Sequence, residues 1–285
     1  MPPDTRPLAE DSQNGAFGRL LRFWRNVRGH SQAQLAHMLE TPSRHVSFLE
    51  TGRSNPSRGM IGRLAAVLGL NERETNVLLV AAGLLPETEE IDLDDDRHHH
   101  LRRHLGLLLQ KQDPYPGIVV DRCGEIKMCN RAWILLVQAY LGGIRPPART
   151  NLFHLYFSDE GLRQRIRHWE RLACILLLKV QEQQLLTGDS RLAELMEWLQ
   201  AYPGVPADWA TRAQGTDVGS SYEIHLHLEN ITSHSLTVIS NLEPSPDFSA
   251  PQVFIHNYFP QDAATEKLWL SFYNDNELQH PLLYY

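Results

Sequence analysis

The segment SQAQLAHMLETPSRHVSFLETGRSNPS, residues 31–57, decides the fold of the N-terminal part of the chain. Ser31 and Gln34 have the spacing of a capping box, which predicts that a helix begins here. Thr41 is the predicted cap of a second helix, because the proline that follows it needs no N–H partner at the first helical position. Gly52 supplies a left-handed residue that ends this helix. The segment therefore predicts two short helices joined by a tight turn.

Three more helices are predicted around this pair. Apolar residues recur with helical spacing from Phe17 onward, so one helix precedes the segment. Another helix begins near Ser57, and a last one begins with a capping box at Asn71 and ends at Gly83. The sequence thus predicts an all-helical domain over residues 15–86.

Charge is distributed unevenly along the chain, whose 285 residues carry a formal net charge of -7. Between residues 17 and 70, eight arginines and two glutamates give +6, whereas residues 71 to 96 carry nine acidic side chains and one arginine. A protein that binds nucleic acid is basic where it contacts phosphates. The acidic whole therefore contains a basic module that is suited to binding nucleic acid.

This module resembles the helix-turn-helix of the xenobiotic-response-element type. The resemblance rests on LRFWRNVRGHSQAQLAHML and VSFLETGRSNPS, and it covers residues 15–85 with matching spacing, caps and exit loop. It implies binding of double-stranded DNA, with the third helix in the major groove. A helical bundle used for protein contacts is the alternative. Glu40 departs from the pattern, because the family often has glycine at this turn.

The outward face of the third helix is predicted to contact DNA, because Val46 and Leu49 face inward. Arg44 is the expected base reader, since a guanidinium can form paired hydrogen bonds with guanine, and a phosphate contact is the alternative. Arg53 is expected to clamp a phosphate, whereas Asn55 either joins it or caps the fourth helix. The predicted DNA-contacting residues are Gln32, Ser43, Arg44, His45, Ser47, Arg53, Asn55 and Arg58.

The resemblance implies two further roles in this module. Arg25 is expected to form an ion pair with Glu50, which would join the first helix to the end of the third. Gln32 matches the position that braces the DNA backbone and the first reading side chain.

The remainder of the chain follows an acidic run and has a different order of elements. The predicted elements are a helix at 98–111, strands at 117–121 and 125–129, helices at 131–141 and 159–189, a helix capped by Asp189, strands at 221–229, 234–243 and 252–259, and a helix capped by Asp262. This order is typical of a PAS-like sensor, an antiparallel sheet with helices over one face. The predicted fold class is α+β in two domains, a five-helix helix-turn-helix domain followed by this PAS-like sheet with flanking helices. The predicted parts are a disordered N-terminus at 1–14, the DNA-binding domain at 15–86, an acidic linker at 87–97, a ligand-binding and dimerisation domain at 98–273, and a C-terminal tail at 274–285.

The segments YPGIVVDR, TGDSRLAELMEWLQAYPG and NYFPQDAATEKLW resemble the MmyB-like ligand-binding domain of bacterial regulators. The resemblance covers about residues 98–273 and leaves the tail unmatched. It implies a cavity for a small, largely apolar ligand, with a fatty acid as the expected kind.

Candidate ligand contacts lie on the helices and strands that would enclose such a cavity. Arg131, Arg165 or His168 would hold a carboxylate head group, although each is also suited to the surface. The apolar candidates have the alternative of plain core packing. The predicted ligand-binding residues are Asn130, Arg131, Trp133, Arg165, His168, Trp169, Leu176, Ile224 and Leu226.

Other kinds of chemistry have little support in the sequence. The run His98–His100 with His104 lacks a nearby acidic or cysteine ligand at metal-binding spacing, so neither a metal nor a cofactor is predicted. Cys123, Cys129 and Cys174 are expected to be buried thiols. The fourteen histidines form no catalytic set, so the chain is not expected to be an enzyme. The prediction is a cytoplasmic, homodimeric repressor on a pseudo-palindromic operator, without membrane association. The alternatives are a second domain that only assembles or docks a partner, and a haem or redox sensor.

Overall fold

The computed structural model describes residues 15–85, 92–213, 221–229, 231–242, 253–274 and 277–284. The N-terminus at 1–14, which was predicted to be disordered, lies outside the described residues, as does most of the acidic linker's first half. The chain divides near residue 90 into two compact units, called here the first and second domains. No helix of the described residues is long and apolar enough to cross a membrane.

The described residues of the first domain form five helices, as predicted. They are α1 Ala16–Val27, α2 Gln32–Met38, α3 Ser43–Glu50, α4 Arg58–Leu68 and α5 Glu72–Ala81. Leu21, Leu35 and Val46 are fully buried in the shared core of these helices. The capping boxes at the starts of α2 and α5 are confirmed, because in both the side chain and the backbone exchange hydrogen bonds.

In this domain one local prediction was wrong, and one of the two alternatives for Asn55 is excluded. Thr41 does not cap α3, because the cap position belongs to Pro42 and the Thr41 hydroxyl instead lies 3.0 Å from Nδ1 of His45. Asn55 does not cap α4, since Ser57 accepts the hydrogen bond from the Met60 N–H.

The turn between α2 and α3 keeps a glycine-like conformation without a glycine. Glu40 has a φ of 52°, which places it in the left-handed region. This conformation costs an L-residue about 1–2 kcal/mol. The departure from the family pattern at Glu40 therefore changes the side chain while the backbone turn is retained.

The second domain contains five strands and seven α-helices in its described residues. They are α6 His99–Gln112, β1 Gly117–Asp121, β2 Ile126–Cys129, α7 Arg131–Tyr140, α8 Leu152–Phe157, α9 Trp169–Thr187, α10 Ser190–Gln200, α11 Trp209–Arg212, β3 Ser221–Leu228, β4 Ile231–Leu242, β5 Val253–Pro260 and α12 Ala263–Phe272. Short 3-10 helices precede α6 and α9. Asp189 and Asp262 cap α10 and α12, as predicted.

The five strands form one antiparallel sheet in the order β2-β1-β5-β4-β3. Ile118 and Val120 pack into the main core together with residues of α7, α8 and α9. Val119, between them, faces the opposite side and packs with Leu105 and Leu109 of α6. The predicted fold class is confirmed. Helices cover both faces of the sheet, however, and not one face as expected. The consecutive apolar residues of β1 agree with this, because a strand that is buried on both faces is apolar at every position.

The helix predicted at 159–189 is interrupted. Ile166 forms a bridge with Leu226 of β3, and the Arg167 N–H donates to the carbonyl oxygen of His225 at 2.8 Å. His168 then adopts a left-handed φ of 54°, and α9 begins only at Trp169. Pairing with the sheet edge therefore overrides the helical pattern of the sequence in this segment.

The C-terminal tail belongs to the second domain, although the family resemblance left it unmatched. Leu278 and Leu282 are buried in the main core. The Leu282 carbonyl accepts a hydrogen bond of 2.9 Å from the Cys129 N–H, and the Tyr284 ring lies 3.9 Å from the Arg102 guanidinium carbon. The tail therefore contacts both β2 and α6.

Candidate DNA-binding surface and ligand cavity

The solvent face of α3 carries the predicted reading residues. Val46 and Leu49 are buried, as predicted, and they fix the rotation of the helix against the core. Ser43 and Arg44 are therefore exposed, while His45 and Ser47 are half-buried at its sides. These side chains lie on the face of α3 that was predicted to contact DNA. Their individual contacts with DNA remain predictions.

A buried carboxylate joins α3 to α1 and α2. Glu50 is fully buried and accepts hydrogen bonds from Nε and Nη2 of Arg25, at 2.5 and 3.2 Å, and from the Gln32 amide at 2.8 Å. The Arg22 Nε lies 3.4 Å from the same carboxylate. Burial alone would raise the pKa of Glu50, but the hydrogen bonds and the arginine charges hold this pKa below its usual value. The contact between Arg25 and Glu50 is as predicted, and it holds the end of the third helix.

The other predicted DNA contacts lie around the exit of α3. Arg53, Asn55 and Arg58 are exposed. Arg58 donates a short hydrogen bond to the Leu85 carbonyl, so its guanidinium is partly engaged within the fold. Gln32 is likewise engaged by Glu50. For both residues a contact with DNA remains a prediction.

Sequence reasoning missed Phe48, which lies half-buried on the same face as Arg44. Its ring centroid is 4.9 Å from the guanidinium carbon of Arg44 and 5.9 Å from that of Arg53. The spacing of four residues between Arg44 and Phe48 on one helix was the available signal.

The predicted ligand contacts do not form one site. Asn130 is fully buried, and its side chain caps α7 and bonds the Gly117 N–H and the Tyr115 carbonyl. The assignment of Asn130 to a ligand was therefore wrong, because its hydrogen-bonding groups are used by the fold. Arg131 interacts with Tyr273. Arg165 lies half-buried in the 3-10 turn before α9.

The apolar candidates on the sheet and on α7 do not enclose one large cavity. Trp133, Ile224 and Leu226 surround a space of only about 20 Å³, which is room for about one water molecule. Trp169 packs against Phe157 and donates its indole N–H to the backbone, and His168 is exposed at the start of α9. Trp133, Trp169, Ile224 and Leu226 belong to the hydrophobic core, which was the alternative interpretation of these residues. Leu176 lies elsewhere, in a larger cavity.

That cavity has a volume of about 520 Å³ and lies between α9, the start of α8 and the sheet. Its apolar wall consists of Val120, Leu152, Phe153, Leu176, Val180, Tyr222, Ile239 and Phe254. Its polar side chains are Asp121, Arg122, Lys179, Glu182, Gln183 and His256. The size is within the range of small-molecule sites in proteins. The cavity joins a mainly apolar wall to a charged border, which suits an amphipathic ligand.

His256 of β5 is the most perturbed base in the cavity wall. It is buried, and its Nδ1 has no hydrogen-bond partner among the described residues. Burial lowers the pKa of His256 to about 4, and the positive charge of Lys179 contributes in the same direction. The imidazole is therefore neutral at physiological pH.

This buried histidine should make stability depend on pH. The folded pKa of about 4 lies below the ordinary 6.5, so the unfolded chain binds more protons between these values. Stability is therefore complete above 6.5 and falls on acidification, by about 2 kcal/mol near pH 5. Urea unfolding measures this through tryptophan fluorescence, since five of the six tryptophans lie in the second domain. His256→Gln should flatten the dependence, and an unchanged pH profile in this variant would contradict the assignment.

The described residues contain no cluster of three or more His, Cys, Asp or Glu side chains arranged for a metal ion. In the predicted histidine run, Nδ1 of His98 lies 2.7 Å from the Asp92 carbonyl oxygen. Cys129 and Cys174 are buried free thiols, as expected, whereas Cys123 is half-buried. Burial raises the pKa of Cys123 to about 11, so its thiol is unreactive at neutral pH.

A helix-turn-helix domain followed by a separate sheet domain with a cavity is the architecture of a transcription regulator. Residues 16–78 match the family model of a helix-turn-helix domain. Residues 101–270, more than half of the chain, match the model described as MmyB-like transcription regulator ligand binding domain, and the chain belongs to this family. No curated protein matched the chain.

Proposed function

We propose that this regulator is a cytoplasmic repressor that binds a pseudo-palindromic operator in bacterial DNA as a homodimer, without catalysing a reaction. The exposed face of α3 carries the proposal, because Arg44 projects from a helix that the buried Glu50 holds in place. Two such helices would enter successive major grooves about 34 Å apart. The net charge of +6 over residues 17–70 supports association with phosphates.

The second half of the proposal is a small amphipathic ligand in the cavity, with a fatty acid as the expected kind. The apolar wall around Leu176, Val180 and Phe254 would cover the chain of the ligand. Lys179 at the border would attract a carboxylate head group. Such a ligand would change DNA binding only to the extent that its affinity differs between two dimer arrangements.

The reading role of α3 predicts a difference between two arginines. Arg44→Ala should relax base preference, at a cost of about 1–3 kcal/mol for the preferred operator. Arg53→Ala should weaken binding to all sequences and lower the salt dependence, because it removes a phosphate contact. Titrations of each variant with operator and scrambled duplexes at several salt concentrations measure both effects. Equal changes in the two variants would show that the reading residue is assigned wrongly.

Mass spectrometry of an organic extract from freshly purified, denatured protein tests the ligand. A stoichiometric lipophile supports the proposal and supplies the molecule for operator-binding titrations. Leu176→Trp, which fills the cavity, is the matched control and should remove this molecule from the extract. An extract without a ligand, together with DNA binding that is indifferent to added fatty acids, would favour a second domain that only assembles the dimer or docks a partner.

A further inference from the structure

We propose that Phe48 is a positioning residue of the DNA-binding surface. Its ring restricts the positions of the Arg44 and Arg53 guanidinium groups. The group that reads bases and the group that contacts phosphate are therefore oriented relative to each other before DNA binds. The inference rests on the proposed function, because it assigns a role on the same surface.

The first observation is the position of the ring between the two arginines. Arg44 precedes Phe48 by four residues, which places both side chains on one face of α3. The guanidinium carbon of Arg44 lies over the ring at 4.9 Å, and that of Arg53 lies over it at 5.9 Å. Both distances are within the range of cation–π contacts. One aromatic side chain therefore contacts a predicted base reader and a predicted phosphate clamp.

The second observation is that the backbone of Phe48 anchors the exit loop as well. Its carbonyl oxygen accepts hydrogen bonds from the N–H groups of Arg53, at 2.9 Å, and Ser54, at 3.3 Å. The neighbouring Val46 and Leu49 fill the core, whereas Phe48 itself stays half-buried on the solvent side. The ring therefore lies at the junction of α3 and the exit loop, in contact with both Arg44 and Arg53.

The chemistry of arginine makes such a contact useful for recognition. A free arginine side chain has many rotamers, and ordering it on DNA costs conformational entropy. Contact with an aromatic ring restricts these rotamers before DNA arrives. The donors of the guanidinium lie in its plane, so a guanidinium that rests on a ring can still donate to guanine or to a phosphate. Phe48 would therefore raise affinity for the operator without contacting a base itself.

The test uses the full chain and a duplex that the unmodified protein selects from a random DNA pool. Phe48→Leu removes the ring but keeps apolar volume, and it should lower operator affinity about three- to tenfold, with a smaller effect on a scrambled duplex. Phe48→Tyr keeps the ring and should bind within about twofold of the unmodified protein. Phe23→Leu is the matched control, because Phe23 is an exposed aromatic residue of α1 that is 53% exposed, and its loss should change neither affinity.

A double variant shows whether Phe48 acts through Arg44. In an Arg44→Ala background, Phe48→Leu should leave the base preference unchanged, because the reading group is already absent. The inference would be overturned if Phe48→Leu left the ratio of operator to scrambled affinity unchanged. It would also be overturned if Phe48→Tyr lost as much operator affinity as Phe48→Leu. A native chain that selects no duplex would overturn the proposed function itself, and this inference with it.

Discussion

Gly18→Ala is expected to destabilise the first domain by roughly 3 kcal/mol or more, although alanine is the better helix former. Gly18 is buried in α1, where this helix meets the end of α3. A Cβ atom here would overlap the carbonyl oxygen of Glu50 and lie 2.8 Å from its carbonyl carbon. Both atoms belong to the backbone, so neither can rotate away, and α1 would have to move off α3. The close approach that brings Arg25 to Glu50 would then be lost.

Gly62→Ala is the matched control for this prediction. Gly62 lies inside α4, and a Cβ atom there would meet nothing within 4 Å. The same substitution should therefore stabilise the domain by about 0.5–1 kcal/mol. Hydrogen exchange of the full chain, followed on peptides of α1 to α5, measures both changes in the free energy of opening. A destabilisation of equal size in the two variants would contradict the close packing of α1 on α3.

Glu50→Gln is expected to cost the first domain about 3–5 kcal/mol. The substitution keeps the shape of the side chain but removes the charge that faces Arg25, whose side chain is only 11% exposed. A buried guanidinium would remain without its counter-ion. Because the pKa of Glu50 is lowered in the folded state, its contribution to stability is complete above the ordinary carboxyl range and is lost as the pH falls through the lowered value.

Glu74→Gln provides the comparison at a partly exposed pair. Glu74 lies 3.5 Å from Arg28, and glutamine can replace it in the capping box of α5. The cost there should be below about 1 kcal/mol. The same hydrogen-exchange experiment compares the two variants. A Glu50→Gln variant that loses no more stability than Glu74→Gln would show that the buried carboxylate is not a structural anchor.

The first domain was predictable from the sequence because its signals are local. The capping boxes that begin with Ser31 and Asn71 depend on residues three positions apart, and both are present in the structure. The prediction that Thr41 caps α3 was wrong because Pro42, the residue after it, takes the cap position. Glu40 shows the limit of such signals, since its left-handed φ comes from the surrounding helices and not from its own preference.

In the second domain, the strands could be predicted from the sequence, but the position of the ligand cavity could not. Alternation in β3 placed Ile224 and Leu226 on the core face, where they lie. The pairing of Ile166 with Leu226 broke the expected long helix, because an interaction between distant segments overrides a local pattern. Which part of α9 borders a cavity likewise depends on how the helix packs on the sheet. Leu176 was the one predicted contact in the large cavity, and His256 carried no signal in the sequence.

Sequence reading by α3 is tested by a binding titration of the full chain with DNA from the region around its own gene. The comparison is a scrambled duplex of equal length, at about 0.15 M salt. If α3 reads the DNA sequence, the chain should prefer one pseudo-palindromic site by about a thousandfold or more, and Arg44→Ala should lose this preference. Equal affinity for the native and scrambled duplexes would contradict a sequence-reading role for α3.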